Sequence, residues 1–417
     1  MRTGLFKNVA ILLSGNVFAL IIPFIAAPII TRLYTPEDFG SFELFAKLLA
    51  FAVVLASLRY ELAMVLPKKE EHSANLATIA LRFSLMFSCA ILILTLLFKS
   101  DVAQLMDNAG LETLLVYLGP LVAVTTLFSI INQSLIRAEN FKKISSIKIV
   151  STTSNQLVKV AGGYAGMGSL GLLWGQLLGL VFPIFMGWKS LKKKLNGFRF
   201  KSSKSEREQM KVWQEFPKAN LPHGLTDEGE KLILLALISA YFGAWSLGLF
   251  AFTLRYLRIP LQLFGASIGQ ALYPKISKAH NAGEAYFSLI LRVTGLLFLI
   301  STVGFGTLFL FGEEIFAFVL GQDWAEAGNY ASYMAPWLGL NFIASPVSTI
   351  PTILKRQKTF FRISLAISLF SLIGIWQLAE LSWGFYEVLG FLVLVQSIGM
   401  LVKLLWILFI AKQNSGK

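Results

Sequence analysis

Cysteine, histidine and charged residues are scarce in this chain of 417 residues. A single cysteine, Cys89, excludes a disulfide framework and a thiolate metal cluster. The three histidines, spread over His72, His223 and His280, exclude a histidine metal site. Charged residues make up 14% of the chain against about a quarter in soluble proteins, while 55% are hydrophobic and the mean hydropathy is +0.66. The composition therefore predicts a protein of the lipid bilayer.

Twelve apolar runs approach the roughly 20 residues that a transmembrane helix needs. We expect spans at Val9–Ile30, Leu44–Leu66, Ala77–Phe98, Leu114–Ile136, Ile144–Ala165, Leu170–Trp188, Phe216–Phe242, Trp245–Leu272, Tyr286–Phe311, Tyr330–Leu354, Phe361–Leu378 and Val388–Ile410. Arg2 and Lys7 precede the first span, as in a secretory signal, but its apolar run is too long for one. The sequence thus predicts an all-α polytopic membrane protein.

Basic residues sort to one side when the loops are assigned alternately to the two membrane faces. The loops on the side of the N-terminus, together with the adjoining ends of the spans, hold 29 of the 37 lysines and arginines. The opposite loops hold only Arg32 and Lys99, together with 11 acidic residues besides Glu43, which is counted with span two. The positive-inside rule therefore predicts that both termini are cytoplasmic. Because the charge of +14 has this explanation, no nucleic acid is predicted as a partner.

An internal repeat divides the chain into two halves. Arg137–Ser145 follows span four and matches Arg356–Ser364, after span ten, at four of nine positions. The basic segment 189–215 is the predicted cytoplasmic linker between an N-terminal bundle, 1–188, and a C-terminal bundle, 216–417. Because each half has six spans, both enter the membrane from the same side. We therefore expect two pseudo-symmetric six-helix bundles around a central cavity.

Once the basic residues near the cytoplasmic ends of the spans are counted with the loops, six remain inside the predicted spans, where each costs a few kcal/mol unless it faces a wet interior. They are Lys47, Lys159, Lys231, Arg255, Arg258 and Lys403. Polar side chains recur at helical spacing on three spans. The three stripes are Lys148, Thr152, Asn155 and Lys159; Asn220, His223, Asp227, Glu230 and Lys231; and Arg255, Arg258 and Gln262. Together they predict an aqueous cavity with an excess of positive charge.

Such a cavity suits an anionic headgroup, because arginine matches phosphate oxygens and lysine supplies a compact positive charge. Asp227 and Glu230, with His223 on the same face, are candidates for coupling transport to protons or sodium. The alternatives are that Asp227, Glu230 and Lys231 neutralise one another, and that Arg258 and Lys403 reach the membrane interface. No catalytic residue, resident metal or cofactor is predicted.

Two glycine patterns have different interpretations. Gly166, Gly168 and Gly171 match a dinucleotide-binding fingerprint, but no strand precedes them and no acidic residue follows at the required distance. Gly171, Gly175 and Gly179, each four residues apart, instead predict a face of close helix packing. Pro217 and Pro222 bracket the start of span seven and predict either a break in that helix or a helix that begins later.

The sequence resembles a known family at several short motifs. These are Ser14-Gly-Asn, Pro28-Ile-Ile-Thr-Arg-Leu-Tyr-Thr-Pro36-Glu-Asp-Phe-Gly40, Arg59-Tyr-Glu-Leu-Ala63 with Pro67, Leu135-Ile-Arg137 with Phe141, and Phe216-Pro217. They are similar to polysaccharide biosynthesis proteins of the multidrug/oligosaccharidyl-lipid/polysaccharide exporter superfamily, and the nearest group is the O-antigen flippases.

The resemblance implies a transporter of the bacterial inner membrane and not an enzyme. It implies that undecaprenyl-pyrophosphate-linked oligosaccharide crosses from the cytoplasmic to the periplasmic leaflet by ion-coupled alternating access. Membrane lipids and the polymerase and glycosyltransferases of the same pathway are the implied partners. We assign substrate binding to Arg32, Lys47, Lys159, Lys231, Arg255 and Arg258, and ion coupling to His223, Asp227 and Glu230.

Three other classes of protein remain as alternatives. A multidrug exporter of the same superfamily would favour an acidic or aromatic cavity for cationic drugs, against the basic excess found here. A major-facilitator transporter would show its glycine, aspartate and arginine signature between spans two and three, where Arg59–His72 stands. A membrane glycosyltransferase or polymerase would show a large outer loop or an acidic metal-binding motif, and the predicted outer loops are short.

Overall fold

A computed structural model describes residues 2–195, 198 and 203–415, and these residues form helices without any strand. The chain divides by its internal packing into two compact units, Met1–Gly248 and Leu249–Lys417. The all-α prediction is therefore confirmed over the described ranges. The predicted division into bundles 1–188 and 216–417 stays a prediction, because the two compact units are defined by packing contacts and not by the sequence repeat.

The first unit is built from nine complete α-helices and the beginning of a tenth within its described residues. They are α1 (Arg2–Ile30), α2 (Pro36–Ala56), α3 (Tyr60–Ala63), α4 (Glu70–Leu105), α5 (Ala109–Leu115), α6 (Leu118–Arg137), α7 (Phe141–Tyr164), α8 (Ser169–Leu195), α9 (Lys204–Val212) and α10 (Leu221–Asn281). A π-helical turn at Phe216–Asn220 precedes α10. Because α10 begins only at Leu221, Pro222 lies in its first turn, where a missing N–H costs no helical hydrogen bond.

The ends of α2 follow directly from its sequence. Thr35 accepts a hydrogen bond from the backbone N–H of Asp38, the Asp38 carboxylate accepts one from the backbone N–H of Thr35, and Pro36 occupies the first turn. At the other end, Leu58 and Arg59 adopt positive φ angles of 49° and 63°. A right-handed helix cannot continue through them. The predicted span that ran to Leu66 therefore ends as a long helix at Ala56.

A buried apolar cluster joins α3, α4, α6, α7 and α8 in the first unit. Its members include Tyr60, Met64, Leu76, Ile79, Ile130, Ile131, Leu135, Ile147 and Leu191. Arg137, the first residue of the repeat motif, donates hydrogen bonds to the carbonyl oxygens of Val65 and Pro67 and to the Glu70 carboxylate. In the first half of the chain, this arginine therefore fastens the segment after α3 to α4 and α6.

The second unit contains the remainder of α10 and five further α-helices among its described residues. They are α11 (Phe287–Leu320), α12 (Ala325–Ala344), α13 (Ile350–Ile353), α14 (Gln357–Glu380) and α15 (Phe385–Asn414). A 3-10 turn at Ser345–Val347 separates α12 from α13. Aromatic rings fill the core, with Phe252 4.4 Å from Trp324 and Tyr330 4.9 Å from Phe385 between ring centroids.

Eight helices of the described chain are long and apolar enough to cross a membrane. They are α2, α4, α6, α8, α10, α11, α14 and α15. In α10, Gly243 has φ 75° and ψ 174°, a conformation that breaks the helix between predicted spans seven and eight. The chain is thus a multi-pass membrane protein. Twelve crossings and the pseudo-symmetry of the two halves stay predictions.

Candidate functional site

An open cavity of about 670 Å³ lies within the second unit and contains one of the predicted substrate-binding residues, Arg258. Gln262, the next residue of the predicted stripe, also lines it. The complete lining is Arg258, Leu261, Gln262, Gly265, Gly269, Gln270, Tyr273, Asn341, Ser345, Ser348 and Thr349. Its volume lies in the range of about 300–1,000 Å³ that small-molecule sites occupy. We take this cavity as the candidate site.

One wall of the cavity is a single face of α10. Arg258, Gln262, Gly265, Gly269 and Tyr273 follow one another at steps of three or four residues, which places them in one row along the helix. A Cβ atom on Gly265 would meet the Ser345 hydroxyl, so the lack of a side chain at Gly265 allows the two walls to approach closely. The row extends the stripe that begins at Arg255.

The opposite wall is the end of α12 and the residues that follow it. Asn341 lies in the last turns of α12, Ser345 begins the 3-10 turn, and Ser348 and Thr349 follow that turn. Pro346 in this segment lacks the N–H that would continue the α-helical ladder. The predicted span that ran unbroken to Leu354 therefore ends as an α-helix at Ala344, and its irregular end supplies polar groups to the cavity.

The cavity is positively charged. Arg258 is its one formally charged lining residue, and the lining contains no carboxylate. The guanidinium carbon of Arg258 lies 5.9 Å from the centre of the Trp337 ring, close enough for a cation–π interaction that orients the side chain. The planar fork of an arginine matches the oxygens of carboxylates and phosphates, so Arg258 makes this cavity suited to an anion.

A second cleft continues from the first along α10. It has a volume of about 600 Å³ and is lined by Tyr273, Pro274, Ser277, Lys278, Asn281 and Ala282. Tyr273 lines both cavities, so the two openings share one wall residue. Ser277 and Asn281 continue the row of residues four apart on the same helix face. The polar groove therefore reaches from Arg258 to the end of α10.

Lys159 lies in a close helix contact within the first unit. It is buried, and its ammonium lies 4.7 Å from the centre of the Phe42 ring. A Cβ atom on Gly175 would collide with the aliphatic part of Lys159, and one on Gly179 would lie 2.9 Å from the Asn155 Cβ. The predicted glycine packing face of α8 is confirmed. Asn155 and Lys159, two of the four residues of the predicted stripe, thus face α8, whereas Lys148 is exposed.

The polar cluster at the start of α10 is paired internally. The Lys231 ammonium lies 2.9 Å from the Asp227 carboxylate and 3.0 Å from the Glu228 carboxylate. His223 and Asp227 are exposed and Glu230 is partly buried. The geometry favours the alternative in which Lys231 balances nearby acidic charge, with Glu228 as a partner that the helical spacing did not single out.

The remaining predicted residues lie at separate places in the two units. Arg32 is exposed in the turn after α1, and Lys47 is partly buried on α2. Arg255 is exposed on α10 in the second unit, three residues before Arg258. Within one unit, the structure therefore brings Arg258 and Gln262 to a common cavity, and the assignment of Arg258 to substrate binding stays a prediction.

Two charged residues to which the sequence analysis assigned no role, Arg59 and Glu61, have unusual surroundings. Glu61 is only 4% exposed, and its Oε2 atom has no hydrogen-bond partner among the described residues. The Arg59 Nε atom is also buried without an acceptor, and a Cβ on Gly224 would lie 2.9 Å from it. Both belong to the motif Arg59-Tyr-Glu-Leu-Ala63 that carries the family resemblance, and this motif was the sequence signal that could have identified them. They adjoin the polar start of α10.

Comparison with known proteins places this architecture among transporters. The profile of a family described as "Polysaccharide biosynthesis protein" matches residues 29–329. The succinoglycan biosynthesis transport protein ExoT of Rhizobium meliloti is 22% identical over 342 residues, which are 80% of this chain. The chain spans 65% of the length of that relative.

Solved transporter structures share the fold. The lipid II flippase MurJ in an inward closed conformation matches with a TM-score of 0.75 and 17% identity, over 96% of this chain and 87% of that one. An inward-facing multidrug resistance transporter of the MATE family matches with a TM-score of 0.63 and 14% identity, over 96% and 95% of the two chains. A transporter of the MOP superfamily from Pyrococcus furiosus matches with a TM-score of 0.57 and 14% identity, over 98% of this chain and 96% of that one.

These findings confirm the resemblance, and the named proteins are transporters or flippases and not enzymes. The low identity to the solved structures means that they establish the fold alone. The family profile, in contrast, covers well over half of the chain and includes the Arg258 wall of the cavity. The chain therefore belongs to the polysaccharide biosynthesis protein family.

Proposed function

We propose that this protein is a flippase that carries an undecaprenyl-pyrophosphate-linked oligosaccharide, an O-antigen or similar surface polysaccharide unit, from the cytoplasmic to the periplasmic leaflet. The membrane is the bacterial inner membrane. The family supports a role in polysaccharide biosynthesis, and the fold of the lipid II flippase supports movement of a lipid-linked substrate. The transport homologue from Rhizobium meliloti supports transport over synthesis.

The observation that carries this proposal is the cavity of the second unit. Arg258 offers a guanidinium on a wall that contains no carboxylate, so the electrostatic environment favours an anion. A pyrophosphate presents only acceptor oxygens at the pH of the cell, which match the donors of the guanidinium. The lipid chain has no polar group to satisfy and remains among the apolar helices.

Some of the other assigned residues keep their proposed roles, with Arg32 at the outer mouth and Lys47 and Arg255 adding positive charge along the path. The packing of Lys159 against α8 and the pairing of Lys231 with Asp227 and Glu228 favour a structural role for these two lysines instead. His223, Asp227 and Glu230 couple the movement to a proton or sodium gradient. The protein works with membrane lipids and with the polymerase and glycosyltransferases of the pathway, and it needs no resident cofactor.

Reconstituted liposomes test the proposal. Wild-type protein should move a fluorescent undecaprenyl-pyrophosphate-linked oligosaccharide between leaflets, as read from quenching of the outer leaflet by an impermeant reductant. Arg258→Gln should slow this movement about tenfold or more, because a hydrogen bond to a charged group contributes about 1.5–3 kcal/mol. Imposed proton and sodium gradients should reveal which of the two ions accelerates it.

Arg292→Gln is the matched control, since Arg292 is exposed on α11 and does not line the cavity. It should retain the wild-type rate. Full activity of a correctly folded Arg258→Gln variant would contradict the role of the cavity. Failure of the wild type to move the lipid under any gradient would contradict the function itself.

The multidrug exporter is the second candidate, because the fold also matches a multidrug resistance transporter. A cationic drug would require an acidic group, and the cavity lining contains none. The same liposomes separate the two candidates. Export of a cationic dye without movement of the lipid-linked sugar would favour the exporter.

A further inference from the structure

The lining of the second-unit cavity contains more neutral hydrogen-bonding groups than a phosphate needs. Besides Arg258, its lining residues carry three carboxamides and four hydroxyls; the Ser348 hydroxyl also donates a hydrogen bond to the Ser345 carbonyl oxygen, and the Thr349 hydroxyl oxygen is buried. The carboxamides are Gln262, Gln270 and Asn341, and the hydroxyls are Tyr273, Ser345, Ser348 and Thr349. A phosphate accepts hydrogen bonds only, so the acceptor oxygens of these seven side chains would be unused or repulsive against it.

We propose that this cavity binds the sugar portion of the transported lipid and thereby reads its uncharged hydroxyl groups. The inference rests on the proposed flippase function and names the part of the substrate that this site takes. A sugar hydroxyl both donates and accepts, as do a carboxamide and a side-chain hydroxyl, so the accessible carboxamides and hydroxyls of the lining find complementary partners. A site built in this way rejects ligands that lack those hydroxyls, because its own polar groups are then left unpaired.

The cavity also has a direction. Arg258 and Tyr273 stand at opposite ends of one face of α10 and are separated by about 22 Å at a helical rise of 1.5 Å per residue. The pyrophosphate therefore lies at the Arg258 end, and the sugars follow along Gln262, Asn341 and Ser345 towards Tyr273. Tyr273 is half-exposed and offers an aromatic face together with a hydroxyl.

The adjoining cleft extends the same site. It begins at Tyr273 and is lined further by Ser277, Lys278 and Asn281. These residues again combine hydroxyl, ammonium and carboxamide groups. A ligand longer than one sugar residue can thus continue along α10 without leaving polar surroundings. An acyl chain in this groove would leave the lining groups without partners, which costs free energy.

The experiment uses two soluble competitors against flipping in liposomes. One is the oligosaccharide released by mild acid from the lipid-linked intermediates of the native host, and the other is inorganic pyrophosphate. Both should slow wild-type flipping when present at the cytoplasmic face. In Gln262→Leu and Asn341→Leu, the inhibition constant of the oligosaccharide should rise about three- to tenfold, as loss of a neutral hydrogen bond predicts. The constant for pyrophosphate should stay unchanged.

Arg258→Gln should show the reverse pattern, with a weaker effect of pyrophosphate and a retained effect of the oligosaccharide. Gln377→Leu is the matched control, because Gln377 is exposed on α14 and lies outside the lining. Ser348→Ala removes a single hydroxyl and serves as the mild variant if either leucine variant unfolds. This variant should weaken inhibition by the oligosaccharide and leave inhibition by pyrophosphate unchanged.

The outcomes for the sugar site and for the flippase are distinct. The sugar site would be overturned if the oligosaccharide did not slow wild-type flipping, or if the cavity variants lost inhibition by both competitors equally. Either result would leave the proposed flippase function intact. Absence of wild-type flipping would overturn the flippase. Binding of the oligosaccharide that is lost only in the cavity variants supports the inference.

Discussion

Arg82 and Glu206 form a salt bridge of 2.8 Å whose two side chains are 10% and 6% exposed. Arg82 lies on α4, and Glu206 belongs to the linker helix α9. The Glu206 carboxylate also accepts a hydrogen bond from the backbone N–H of Ser203 and so completes the N-terminal cap of α9. One carboxylate therefore both starts this helix and attaches it to the first unit.

Glu206→Ala should destabilise the first unit and release α9, because removal of one partner from a buried ion pair costs about 3–5 kcal/mol. Thermal unfolding in detergent should show a lower midpoint, and limited proteolysis should cut the linker faster. Glu112→Ala is the control, since its pair with Lys99 has both side chains 37% exposed. It should leave both readouts unchanged. Equal behaviour of the two variants would contradict the anchoring role.

Charge patterns along single helices predicted which residues are polar but not their partners. The stripe on span seven grouped Lys231 with Asp227 and Glu230, and the side chain pairs with Asp227 and also with Glu228, which the stripe left out. Side-chain rotamers and neighbouring helices decide which residues pair, and the spacing of residues along one helix specifies neither of them. Arg258 and Gln262 were predicted together because a single helix face holds both. Asn341 and Ser345 come from a distant segment, so no local pattern could join them to the site.

At the scale of elements, the contact between α7 and α8 depends on small residues. The Ser151 hydroxyl donates a hydrogen bond to the Gly179 carbonyl oxygen at 2.5 Å. A Cβ atom on Gly179 would lie 3.0 Å from the Ser151 carbonyl oxygen. The backbones can approach this closely only without a side chain at the contact.

Gly179→Leu should push α7 away from α8 and destabilise the first unit, since overpacking a tight interface costs about 1–3 kcal/mol. The yield of monodisperse protein and the thermal midpoint in detergent measure the effect. Gly304→Leu on α11 is the control, because no atom lies within 4 Å of a Cβ at that position. The prediction fails if both leucine variants purify and unfold like the wild type.

The sequence predicted the positions of helices better than their ends. Hydropathy marked the apolar interior of α2, but the left-handed residues Leu58 and Arg59 that end it are neither glycine nor asparagine. The linker was predicted as a basic topology signal, and α9 within it is too polar to stand out by hydropathy. Its Ser203 and Glu206 form a capping box that sequence spacing alone could have indicated.

At the scale of the whole molecule, the predicted orientation rests on the distribution of charge. Lys68 and Gln322 are exposed and lie in loops assigned to opposite sides of the membrane. Cys89 is the one cysteine of the sequence, so Cys89→Ser provides a background without thiols.

In that background, Gln322→Cys should react with a membrane-impermeant maleimide in intact spheroplasts. Lys68→Cys should react only after the membrane is permeabilised, because its loop is predicted to be cytoplasmic. Labelling is measured by the shift of the protein on a gel. The reverse pattern of labelling would overturn the predicted orientation of both termini.

The hydroxyl of Tyr34 has a consequence for how this chain can change in evolution. It donates a hydrogen bond to the Lys159 carbonyl oxygen at 2.5 Å, and a methyl group on Gly171 would collide with it. A methyl group on Gly162 would meet both this hydroxyl and the Gly171 Cα. An alanine at position 171 becomes acceptable only after the hydroxyl is lost, for example in a lineage that already carries phenylalanine at position 34. Positions 34, 162 and 171 are therefore expected to covary among related chains, with the order of substitutions constrained.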